Sequence, residues 1–122
     1  MNNVPPKLKK KWKEEDLRGE RRICMRIDEG DCQGRLTKEH AIIHAGKQLQ
    51  EEWAILDICA FHHGVDEFQD RGNLNKEKHT WIALNRAPEA RLRELSKGED
   101  KIALRDRLNV IYGQYKPLLI NY

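Results

Sequence analysis

Three cysteines and one histidine in the first half of the chain have the residue types that bind zinc. Cys59 and His62 are three positions apart in Cys-Ala-Phe-His, where an apolar run gives way to a helical pattern. Residues i and i+3 lie on one side of a helical turn, so both side chains can reach one ion. Cys24 and Cys32 flank a glycine-containing turn and can complete a tetrahedral site at about 2.0–2.3 Å per ligand. We therefore predict a structural zinc held by these four residues; the alternative is three buried, reduced cysteines of the core.

A second group of polar residues lies beside the predicted zinc site. Glu39 and His40 are on the first predicted strand, whereas His63 follows His62 directly and points about 100° away from it around the helix. Glu67 is four residues later, on the same helical face as His63. A carboxylate and an imidazole can hold a divalent ion, and imidazole exchanges protons near neutral pH, as a general base must. Each histidine alone is more often structural, but the grouping favours a site; only His79, on a later helix, is predicted to be a partly exposed surface residue.

The elements that must position these residues predict an α+β fold. Partial alternation over residues 35–43 predicts a strand, and the apolar run 53–59 predicts a second, buried strand. Residues 60–68 then predict a short helix, and helical patterns over 76–87, 88–96 and 99–112 predict covering helices. We divide the single predicted domain into a basic arm (1–20), a core (21–72) and a helical part (73–122).

Composition limits the class of protein. The 122 residues are 39% hydrophobic and 35% charged, which suits one domain with a modest core. The sequence contains no run of about 20 apolar residues, and no apolar segment of a secretory signal follows Met1. Three cysteines are too few for a disulfide scaffold. We expect a soluble, cytoplasmic protein with reduced thiols and no membrane contact.

Positive charge is concentrated at the start of the chain. Residues 1–26 contain nine basic and four acidic side chains, whereas the remaining residues contain 14 basic and 16 acidic ones. Such a segment would suit a phosphate backbone, because each neutralised phosphate releases counterions. A solubilising tail is an equally good interpretation. The predicted nucleic-acid contacts are Lys9, Lys10, Lys11, Trp12 and Lys13.

Two stretches together resemble the motif of the HNH endonuclease family. They are Lys-Glu-His-Ala-Ile at 38–42 and Ile-Leu-Asp-Ile-Cys-Ala-Phe-His-His at 55–63. The resemblance covers about residues 21–70, and the compact size is similar to that of small phage-type members. It implies the ββα-metal (His-Me finger) fold, a hairpin plus helix with a structural zinc knuckle, covered here by the C-terminal helices.

The resemblance also implies roles for individual residues. His40 corresponds to the general base, and Glu39 and His63 correspond to ligands of a catalytic divalent cation, Mg²⁺ or Mn²⁺, with Glu67 as a further candidate ligand. Cys24, Cys32, Cys59 and His62 correspond to the zinc ligands. The expected activity is metal-dependent hydrolysis of DNA phosphodiester bonds.

The middle asparagine of the HNH motif is missing. No asparagine occurs between His40 and Asn73, and Trp53-Ala54 occupies roughly its place. We expect Asp57 or a backbone carbonyl to orient His40 instead. The alternative function is a zinc-stapled DNA-binding or recombination-accessory module with weak or no catalysis. A third, weaker interpretation is a zinc-stabilised protein-interaction domain.

Overall fold

The computed structural model describes residues 4–19, 23–97 and 100–112. Five helices and four strands occur in these ranges: α1 (Pro6–Leu17), β1 (Leu36–His40), β2 (Ile43–His44), β3 (Lys47–Gln48), β4 (Ile55–Cys59), α2 (Ala60–His63), α3 (Lys76–Arg86), α4 (Glu89–Leu95) and α5 (Lys101–Tyr112). Short 3₁₀ segments cover Ile27–Glu29, Glu52–Ala54 and Asp66–Asn75. No helix among the described residues is long and apolar enough to cross a membrane.

The architecture is α+β, as predicted. β1 and β4 form an antiparallel pair in which Thr37 lies opposite Ile58 and His40 opposite Ile55. β2 and β3 form a second small pair within the connection between them. The chain enters α2 directly from β4, so Cys59 at the end of the strand lies beside the single turn of the helix.

Several predicted boundaries are wrong, each for a local reason. The strand predicted over 35–43 ends at His40, and β2 turns back through Ala45 and Gly46, both with positive φ. The strand predicted over 53–59 begins as a 3₁₀ turn. The helix predicted over 60–68 ends at His63, because Gly64 adopts the left-handed conformation (φ 76°, ψ 42°) that closes helices.

β4 is the centre of the core, since all five of its residues are buried. Successive side chains of a strand point to opposite faces. Leu56 and Ile58 belong to the main cluster, with Trp81 of α3 and Leu108 of α5. Ile55 belongs to a smaller cluster with Val4 and Trp12. Helices therefore cover both faces of this strand, and α3 is brought against the hairpin.

The segment predicted as a basic arm forms α1 in its described part, residues 4–19. Trp12 is 7% exposed and packs with Ile55, while its Nε1 donates to Glu52 at 3.0 Å. The ammonium group of Lys38 lies 4.1 Å from the Trp12 ring centroid. α1 is therefore attached to the hairpin by its one tryptophan.

Candidate functional site

The four predicted zinc ligands lie together. Cys59 is the last residue of β4 and His62 is on the single turn of α2, whereas Cys24 and Cys32 lie on either side of the 3₁₀ segment Ile27–Glu29. Their ligand atoms all lie within 4.8 Å of one another. Cys24, Cys59 and His62 are buried, and Cys32 is half-buried.

The spacing of these atoms fits one tetrahedral ion. His62 Nδ1 lies 3.7 Å from Cys24 Sγ, 3.6 Å from Cys32 Sγ and 3.3 Å from Cys59 Sγ. Zinc bonds of about 2.3 Å to sulfur and 2.0–2.1 Å to nitrogen place tetrahedral S and N ligands about 3.5 Å apart. The cluster can therefore hold a metal ion such as zinc with little rearrangement.

Backbone hydrogen bonds shape this cluster. The backbone N–H groups of Arg26 and His62 donate to Cys24 Sγ and Cys59 Sγ. The loop after Cys32 is pressed against α2, where Phe61 N–H donates to the carbonyl of Gln33. Gly34 allows this approach, because an added Cβ would lie 2.8 Å from the Ala60 Cβ.

The pKa values of the three cysteines reflect burial, the neighbouring thiols and backbone hydrogen bonds. Burial, with the neighbouring Cys24 thiol, raises the pKa of Cys32 to about 12, and burial raises the pKa of Cys24. Burial would also raise the pKa of Cys59, but hydrogen bonds from the backbone N–H groups of His62 and Gln33 lower it. Three adjacent thiolates repel one another, so a bound cation is what allows all three to ionise.

A separate cavity of about 440 Å³ opens beside β1, and Glu39, His40 and His63 all line it. The same lining includes three lysines from three parts of the chain, namely Lys38, Lys76 and Lys101. The helical part after residue 73 therefore supplies two of the cations. The lysines outnumber Glu39, the one acidic residue of this lining, so the lining carries more positive than negative charge.

His63 presents an unprotonated nitrogen to Glu39. The Thr37 hydroxyl donates to the Ile58 carbonyl at 2.6 Å and lies 2.6 Å from His63 Nδ1. Because a hydroxyl has one proton, Thr37 must accept from His63 Nδ1–H. His63 Nε2 therefore carries a lone pair, 3.9 Å from Glu39 Oε1.

Two acceptors that face each other in this way fit a shared cation. Two ligand atoms at about 2.1 Å from one ion lie roughly 3.0–3.5 Å apart. A small side-chain rotation would therefore bring Glu39 Oε1 and His63 Nε2, now 3.9 Å apart, to the separation that a shared ion requires. Burial lowers the pKa of His63 against the opposing effect of Glu39, which favours the neutral, ligating form.

His79 is buried, contrary to the predicted surface position. It is 1% exposed, its Nδ1 contacts Glu39 Oε2, and its Nε2 lies 3.2 Å from Arg26 Nη1. The sequence contained a signal for this position, since the apolar residues Ile82 and Ala83 follow three and four residues later, on the same helical face.

His40 is oriented by Gln50, which the sequence analysis did not identify. Gln50 Oε1 lies 3.1 Å from His40 Nε2. An amide oxygen only accepts, so the proton is on Nε2 and the lone pair is on Nδ1. Asp57, predicted for this role, instead forms an ion pair with Lys38. The reason is register, because Asp57 lies opposite Lys38 across the strand pair.

Two other predicted residues lie apart from the cavity. Glu67 is exposed and follows the end of α2, so the continuous helix that placed it on the face of His63 does not exist. Trp12 is buried and cannot stack on a base in this conformation. The predicted phosphate-binding lysines of α1 are exposed: Lys9, Lys10, Lys11 and Lys13. Lys11 forms an ion pair with Glu52.

No protein-family model, curated protein or solved structure matches this chain.

Proposed function

We propose that the protein is a metal-dependent, HNH-type endonuclease that hydrolyses phosphodiester bonds of DNA, on a ββα-metal core stapled by zinc. The observation that carries the proposal is the approach of Glu39 Oε1 to His63 Nε2, 3.9 Å apart, in a lysine-lined cavity that also contains His40. A zinc-stapled binding module would need the cysteine cluster but has no use for this pair.

In this proposal His40 is the general base. Its Nε2–H donates to Gln50, which leaves Nδ1 to take a proton from the attacking water. Gln50 thereby performs the orienting role of the missing asparagine. Because Gln50 lies in the connection between β3 and β4, it comes from the same loop as the asparagine of the motif.

Glu39 and His63 are proposed to hold the divalent cation. When bound, a cation such as Mg²⁺ or Mn²⁺ stabilises charge on the phosphate and on the leaving oxygen. Thr37 keeps His63 in the tautomer with a free Nε2, and the Ile58 carbonyl keeps the Thr37 hydroxyl in place. Such outer hydrogen bonds commonly strengthen metal binding by about 10–100-fold, so this chain of contacts supports a ligand role for His63.

Lys76, which is exposed, is proposed to bind a phosphate beside the scissile bond. Lys38, paired with Asp57, and Lys101, which donates to the Ile43 carbonyl, add positive charge to the cavity wall. Lys38 also contacts Trp12, which connects the cavity to the lysine-rich face of α1. A DNA strand that crosses the cavity would meet positive charge from both α1 and the C-terminal helices. The lysines bind by charge, so this arrangement gives affinity without sequence preference.

The decisive assay is nicking of supercoiled plasmid by the zinc-loaded protein with Mg²⁺ or Mn²⁺. We expect His40→Ala to lower the cleavage rate by about 10²–10⁴-fold while zinc content, fold and DNA binding persist. His63→Ala should also lose cleavage, and Glu39→Ala should resemble it because both residues are ligands. Glu67→Ala is the matched control and should cleave like wild type.

The same assay separates the competing functions. Wild-type protein that binds DNA but cleaves no DNA form with any divalent cation would favour the zinc-stapled binding or recombination-accessory module. Cleavage that survives His40→Ala would place the active site elsewhere on the chain.

A further inference from the structure

His79 contacts Glu39 from α3, outside the segment that resembles the HNH motif. Both ring nitrogens of this buried histidine have a neighbour: Arg26 at Nε2 and Glu39 at Nδ1. Glu39 Oε2 and His79 Nδ1 are buried in contact with each other, and neither has a hydrogen-bond partner among the described residues. The contact is therefore a specific link between α3 and the end of β1.

Arg26 decides where the proton of His79 lies. A guanidinium group only donates hydrogen bonds and remains charged in proteins, so His79 Nε2 must offer its lone pair. The ring proton is then on Nδ1, which lies against Glu39 Oε2. Arg26 cannot turn away easily, because it is 6% exposed and forms a bidentate ion pair with Glu29.

The same geometry excludes His79 as a metal ligand. Binding of a cation at Nδ1 would move the ring proton to Nε2, where it would face the N–H groups of Arg26. Two N–H donors that face each other in a buried site both lack an acceptor, and a buried donor without an acceptor destabilises the folded protein. His79 therefore acts on Glu39 and not on the ion.

We infer that His79, fixed by Arg26, is a positioning residue that holds Glu39 Oε2 so that Glu39 Oε1 faces His63 Nε2. This inference rests on the proposed function, since it assigns the orientation of a proposed ligand. It makes the cation site dependent on α3, so the helical part of the chain takes part in metal binding as well as in packing.

The first test needs no divalent cation besides zinc and uses a variant only to assign signals. Long-range ¹H–¹⁵N spectra of the zinc-loaded full-length protein distinguish the two histidine tautomers, and His79→Asn identifies the signals of His79. We expect the Nδ1–H tautomer in wild type. An Nε2–H tautomer, or a doubly protonated ring, would overturn the inference.

The second test compares two substitutions, of which only one keeps an N–H group at the position of His79 Nδ1. In His79→Asn the new amide N–H can replace Nδ1–H, whereas the leucine of His79→Leu, which is of similar size, cannot. Titration of Mn²⁺ into the zinc-loaded proteins, followed by electron paramagnetic resonance of the free ion, should give about 10–100-fold weaker binding for His79→Leu and near-normal binding for His79→Asn. His44→Leu, outside the cavity lining, is the control and should bind Mn²⁺ as wild type does.

The outcomes separate the inference from the function on which it rests. Unchanged Mn²⁺ affinity in His79→Leu would overturn the positioning role, and equal losses in both variants would replace it with a ligand role. If the zinc-loaded wild-type protein binds no Mn²⁺, the proposed cation site is refuted, and with it the role of His79 at that site. The tautomer spectrum still decides whether Arg26 fixes the His79 ring against Glu39.

Discussion

Gly34→Ala tests whether the zinc loop is packed against α2 as tightly as the geometry requires. Gly34 has a φ of +81°, and an added Cβ would lie 2.8 Å from Ala60 Cβ and 3.5 Å from Phe68. The left-handed conformation costs a non-glycine residue about 1–2 kcal/mol. Overpacking against a helix that cannot shift without moving Cys59 and His62 adds about 1–3 kcal/mol. We expect a total loss of about 2–5 kcal/mol of unfolding free energy.

The matched control for this substitution is Gly46→Ala. Gly46 has nearly the same φ, +79°, but an added Cβ there meets nothing within 4 Å. It should therefore lose only the conformational cost of about 1–2 kcal/mol. Urea unfolding of the zinc-loaded proteins measures both losses, and a zinc competition assay should show weaker binding for Gly34→Ala alone. Equal losses in the two variants would refute the close contact between the Cys32 loop and α2.

Three further predictions follow from the zinc cluster, a buried ion pair and the charge of α1. Cys59→Ser, or removal of zinc by a chelator, should unfold the protein, because structural zinc supplies on the order of 10 kcal/mol of apparent folding free energy. Circular dichroism with metal analysis checks this prediction. A folded, zinc-free protein would contradict it. Burial would raise the pKa of Glu29, but hydrogen bonds from Arg26 and Lys78 lower it to about 2 from an ordinary 4.5. This stabilisation is present above about pH 4.5 and is lost as the pH falls towards 2. Glu29→Gln should therefore lower the free energy of unfolding by about 1–2 kcal/mol at pH 7 and by progressively less in acid, as measured by urea unfolding. A difference that does not change with pH would exclude the ion pair as its cause. The last prediction replaces four exposed lysines of α1 with glutamine: Lys7, Lys9, Lys10 and Lys13. The slope of log binding constant against log salt concentration for DNA should become shallower by up to about 3–4 while the fold persists. An unchanged slope would show that α1 does not contact DNA.

The cluster of three cysteines and His62 could be predicted because its signal is local. The i, i+3 spacing of Cys59 and His62 fixes two ligands whatever the rest of the chain does, and the remaining cysteines are few enough to identify. The buried strand β4 was equally predictable, since a short apolar run needs cover on both faces.

The environment of Glu39 could not be predicted from local patterns. His79 reaches it only because α3, which comes much later in the chain, packs across the hairpin. Arg26, which precedes β1, contacts His79 there. Gln50 carries no distinctive pattern either, since its role depends on how the loop between β3 and β4 returns to His40.

Two errors came from signals that the sequence did contain. Gly64 follows His63 directly and marks a helix end, so the helical position assigned to Glu67 was not justified. Trp12 was assigned to nucleic acid from its lysine neighbours, although an aromatic side chain on a polar helix is commonly the residue that attaches the helix to the core. A spacing argument outweighed the local backbone requirement for Glu67, and a composition argument outweighed the packing requirement for Trp12.

The central claim is that Glu39 and His63 hold a cation distinct from the zinc. Anomalous diffraction from crystals of the zinc-loaded protein soaked in Mn²⁺, recorded at both metal absorption edges, tests it most directly. The account predicts a zinc peak within the Cys24, Cys32, Cys59 and His62 cluster and a separate manganese peak between Glu39 Oε1 and His63 Nε2. Manganese density that is absent from that position, or confined to the cysteine cluster, would contradict it.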